Sequence, residues 1–67
     1  MSEQEIRTLL ECIKRLAINM SVQLNIKDYR RLEKLSYELS MIAMDIATFA
    51  YDMAVEEEMS VNDSLGG

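Results

Sequence analysis

At 67 residues, with a net charge of −5, no histidine, no proline and one cysteine, the chain has few routes to stability and fewer to catalysis. A lone domain this small buries only roughly 60% of its unfolded surface, and one cysteine without histidine supplies neither an intrachain disulfide nor a usual zinc site. Acid–base work at neutral pH most often uses histidine, so the composition points away from an enzyme, a metal or a cofactor and toward a protein stabilised by a partner.

The opening MSEQEI shows neither the basic nor the apolar region of a secretory leader. The most apolar run, residues 41–55, is shorter than the roughly 20 residues of a bilayer span and contains Asp45 and Asp52. A cytoplasmic, reduced location with no membrane contact is the expectation. Cys12 is then an unreactive thiol at a helix surface or core edge.

The first helix is expected over about 3–24. Ser2 and Glu5 form an S-x-x-E capping box, with Met1 and Ile6 placed as a hydrophobic staple. Ile6, Leu9, Ile13, Leu16 and Met20 recur at alternating spacings of three and four, the mark of an amphipathic helix. Leu10, Ala17 and Leu24 are expected to widen that stripe. Ile18 and Val22 point away from it, as a possible rim for a partner.

The stretch QLNIKDYRR holds the candidate turn, at about 25–28. Asn25 can cap the second helix with Asp28 at N3, or Asp28 can be the cap itself. A single continuous helix stays open, because no glycine or proline precedes Gly66.

The second helix is expected over about 28–57 and carries two apolar rows. Leu32, Leu35, Leu39, Ile42, Ile46, Phe49 and Met53 form one, facing the first helix in an antiparallel hairpin. Tyr37, Met41, Met44, Thr48, Tyr51 and Val55 form the other, roughly 170° away at 100° per residue. Ala43, Ala47, Ala50 and Ala54 lie between the rows. A hairpin covers only the first row, so the second row with Ala47, Ala50 and Ala54 is the candidate interface. The fold class is therefore all-α: a two-helix hairpin at 1–58, dimerising across its second helices into a four-helix bundle. The segment 59–67 reads as a flexible acidic and polar tail, since three glutamates at 56–58 oppose the dipole of a helix C-terminus.

Charge is divided along the chain. The seven basic residues all lie between Arg7 and Lys34, and only acids follow. Arg15 is expected to pair with Glu38, and Arg7 with Asp45, across the hairpin. Glu38, Asp45 and Asp52 share a sector but lack the Glu-x-x-His pattern of a bundle metal site, so they read as a solvated face. Lys27, Arg30, Arg31 and Lys34 cluster where a helix dipole disfavours cations, which marks them as a contact for a partner or for phosphate. These residues imply a non-enzymatic regulator, adaptor or inhibitor that binds itself and another protein through helix surfaces. An RNA- or DNA-binding bundle using the basic cluster is a second reading, although an isoelectric point near 4.5 is far from the basic footprint of such domains. A structural subunit of a larger assembly is a third. Salt dependence separates the second from the others.

Overall fold

The computed structural model describes the backbone of residues 1–66 and the side chains of residues 1–59. Two helices, α1 (Glu3–Asn25) and α2 (Tyr29–Gly66), fold back on each other as a hairpin, with no strand among the described residues. Its extents are 60 × 18 × 15 Å. An α2 of 38 residues spans about 57 Å and an α1 of 23 residues about 35 Å, so α2 sets the length and outruns its partner helix.

Capping starts α1. Ser2 has extended backbone angles (φ −92°, ψ 163°), and its Oγ accepts from the Glu5 backbone N–H at 3.2 Å. The Glu5 carboxylate answers by accepting from the Ser2 hydroxyl at 3.3 Å, so the box closes through the two side chains. Met1 is exposed, and the staple to Ile6 buries little.

The turn is three residues of non-helical backbone, Ile26, Lys27 and Asp28, which rules out the continuous helix. Lys27 N–H donates to the Leu24 carbonyl at 3.1 Å and Asp28 N–H to the Gln23 carbonyl at 2.9 Å, the paired bonds of a Schellman motif. Lys27 takes the left-handed position of that motif at φ 62°, where glycine is usual. Asp28 then caps α2: its Oδ1 accepts from the Arg31 N–H at 3.2 Å. Of the two caps open to the sequence, Asp28 is the one used, and Asn25 is the last residue of α1.

The core is a single half-buried seam. From α1 come Ile6, Leu9, Ile13, Leu16 and Met20, and from α2 Leu32, Leu35, Leu39, Ile42, Ile46 and Phe49. Among the described residues Leu35 is the most buried apolar one, at 9% exposure, and no side chain is fully enclosed. Continuous burial on α2 stops at Phe49; Met53, the next member of the row, is 49% exposed because α1 has already ended. The stripe of α1 widens on the side opposite to expectation. Leu10, Ala17 and Leu24 are exposed, whereas Cys12, Asn19 and Gln23 are covered. Gln23, at 7% exposure, is the most buried residue described, and its amide donates to Asn19 Oδ1 at 3.0 Å. Two amides one turn apart satisfy each other, which lets a polar pair occupy a seam position that hydrophobic spacing does not reveal.

At the far end, α2 continues through Glu58 and Met59 rather than ending near 57. The segment expected as a tail, 59–67, has helical backbone as far as Gly66; its side chains from residue 60 onward lie outside those described.

Two stability changes test this account. The left-handed conformation costs a residue with a Cβ about 1–2 kcal/mol, partly offset by the extra backbone entropy that glycine loses, about 0.5–1 kcal/mol. Lys27→Gly should therefore raise the unfolding free energy by roughly 0.5–1 kcal/mol in urea melts. A lower midpoint would show that Lys27 is not left-handed in solution. Asn19→Leu alone strands the buried Gln23 amide and should destabilise by about 1–3 kcal/mol, while adding Gln23→Leu should recover most of that loss.

Candidate interaction surfaces

The outer row of α2 stands in water. Tyr37, Met41, Met44 and Tyr51 are 66–70% exposed, Thr48 is exposed, and Val55 is half-covered. These positions are outward because α1 packs on the opposite row. Ala43, Ala47, Ala50 and Ala54 follow between the rows, and all four are exposed. Their small side chains leave a flank on which another helix can approach closely.

Three hydroxyls on α2 are turned inward to the helix. Thr48 Oγ1 donates to the Met44 carbonyl at 3.0 Å, Ser40 Oγ to the Tyr37 carbonyl at 2.8 Å and Ser36 Oγ to the Leu32 carbonyl at 2.8 Å. Thr48 therefore offers its methyl outward, and covering it would strand no donor.

The basic cluster lies at the turn end. Arg30, Arg31 and Lys34 line an open groove with Asp28, Leu35 and Glu38, and Lys27 precedes it in the turn. The first turn of α2 holds Arg30 and Arg31 and no acid, so the cations face the positive end of the dipole. None of the four forms an ion pair among the described residues. The ion pairs found are within α1: Arg7 Nη2 to Glu3 Oε1 at 2.9 Å and Lys14 Nζ to Glu11 Oε1 at 3.1 Å. The expected pairs across the hairpin, Arg15 with Glu38 and Arg7 with Asp45, are not formed. A partner one turn away on the same helix holds Arg7, at a smaller entropic cost than reaching to another helix.

On α1, Ile18 and Val22 are exposed as expected, joined by Leu10 and Leu24. Cys12 is half-buried at the edge of the seam. No three Cys, Asp or Glu side chains converge as a metal site would need, among the described residues. No helix among them is long and apolar enough to cross a membrane. The residues brought together on one face are thus the outer row and part of the alanine strip, with the basic cluster at one end of the same helix. None of the family models, curated proteins or solved structures compared with this chain matches it.

Because Arg31 opposes the dipole and holds no ion-pair partner among the described residues, its loss should not weaken the hairpin. Arg31→Glu should stabilise α2 by about 0.3–1 kcal/mol at low ionic strength, with the gain fading in molar salt. A loss of stability would show that Arg31 belongs to a structural ion pair.

Proposed function

We propose that this chain is a non-enzymatic interaction protein that works as a homodimer of helical hairpins, joined across the outer row of α2 into a four-helix assembly. The observation that carries the reading is the row Tyr37, Met41, Met44 and Tyr51, left 66–70% exposed along one face of a regular helix. Scattered apolar residues on a surface need no explanation, but a contiguous row does. Burying a large apolar side chain is worth about 1.5–3 kcal/mol, a large contribution for a hairpin with no fully enclosed residue among those described.

A regulator, adaptor or inhibitor needs a second surface once the first is taken up by the dimer. Ile18 and Val22 on the outer side of α1 supply one for another protein. The basic cluster supports a nucleic-acid reading less well, because the carboxylates of Asp28 and Glu38 line the same groove and the net charge is −5. Phosphate binding through it would weaken steeply with salt.

Sedimentation equilibrium at micromolar concentration should give twice the 7.7 kDa chain mass. Met44→Lys should shift the protein toward monomer and make its melting temperature less dependent on concentration. A wild-type protein that stays monomeric and folded would overturn the homodimer.

A further inference from the structure

We propose that the second copy lies antiparallel on the outer row of α2, centred near Ile46, so that the basic turn end of each protomer meets the acidic far end of the other. This rests on self-association through that row and adds a direction and a register to it. The chain as a whole carries surface in excess: it exposes 5611 Å², whereas a compact monomer of its mass exposes about 4,300 Å². The excess, about 1,300 Å², exceeds the roughly 800 Å² that each partner gives to a standard interface.

Direction follows from what lies at the two ends of the row. Continued at the same spacing, it reaches Lys34 and then Arg30 toward the turn, and Glu58 toward the far end. The whole series, from Arg30 to Glu58, is a heptad seam with cations at one end and an acid at the other. A parallel pairing would set Arg30 on Arg30, Lys34 on Lys34 and Glu58 on Glu58, each a like-charge contact in the seam. An antiparallel pairing about Ile46 sets Tyr37 against Val55 of the second copy, Met41 against its Tyr51 and Met44 against its Thr48. Lys34 then meets Glu58 of the second copy at both ends. Neither Lys34 nor Glu58 holds an ion pair within its own chain among the described residues.

The middle of this seam tolerates burial. The Thr48 hydroxyl is already spent on the Met44 carbonyl at 3.0 Å, so no donor loses its partner there. The flanks decide how the helices roll. Ser40, Ala47 and Ala54 lie on one side and allow close approach, while Glu38, Asp45 and Asp52 lie on the other and would face their own counterparts. A roll toward the small residues keeps those six carboxylates of the dimer in water.

Cysteine pairing and charge exchange test direction in the full-length protein with Cys12→Ser as background. Ser40→Cys and Ala54→Cys, both on the small-residue flank, should form a disulfide-linked dimer when the two variants are mixed, and not when either is oxidised alone. Lys34→Glu should raise the dimer dissociation constant about tenfold at low salt, and the same chain with Glu58→Lys added should return to the wild-type value. Circular dichroism checks that each variant keeps its helices. A wild-type monomer would overturn self-association itself and leave the row to a different protein. A wild-type dimer in which each cysteine variant links to its own copy would overturn only the antiparallel direction. A dimer in which no linkage forms and the charge variants have no effect would place the interface on another face and overturn the register.

Discussion

A hairpin of two helices has only one internal seam, and everything else about this molecule follows from that limit. Each helix can offer one stripe to the other; there is no third element to cover what remains. The seam is therefore half-buried along its length, and Leu35 and Gln23 alone among the described side chains fall below a tenth exposed. The 15-residue difference between helices of 23 and 38 residues sharpens the limit. Past Phe49 even the inner row of α2 loses its cover. The second apolar row of α2 therefore finds no cover within the single chain.

Periodicity made most of this visible in advance. The inner rows of both helices were legible because spacings of three and four can serve only a helix; the first start was legible in the Ser2 cap, while the second stayed open between Asn25 and Asp28, because either side chain can accept from backbone N–H groups. The turn was harder. Its left-handed residue is a lysine, so the usual glycine signal is missing, and the motif shows itself only through the bonds from Lys27 and Asp28 back to α1. Asn19 and Gln23 were invisible for another reason: a count of apolar residues assigns polar side chains to solvent, whereas two amides that bond to each other can be covered. That substitution also explains why Leu10, Ala17 and Leu24 are left outside. The cross-hairpin ion pairs failed because sequence register says which levels face each other, not which side chain finds a nearer partner on its own helix.

For the candidate surfaces, sequence was a better guide to position than to use. Tyr37, Met41, Met44, Thr48 and Tyr51 of the second row are exposed and Val55 is half-covered, and the cations of the turn end hold no ion pair among the described residues. What any of these surfaces meets is a matter of affinity between molecules, which the spacing of one chain does not encode. The division of charge is the exception, because it runs along the same seam as the apolar row and so bears on the orientation of anything of like sequence laid against it.

The short turn between α1 and α2 has a kinetic consequence. Residues that meet across the seam near Lys27 are only a few positions apart, so the loop to be closed there is small and its entropic cost low. Contacts farther out can then form in succession, each one brought near by the last. Helical proteins dominated by such local contacts fold in microseconds to milliseconds. Encounter between two hairpins depends instead on how many are present, and at micromolar concentration it is the slower event. Refolding of the proposed homodimer should thus separate into a fast phase indifferent to dilution and a slow one that dilution retards, with the closing of the hairpin belonging to the first.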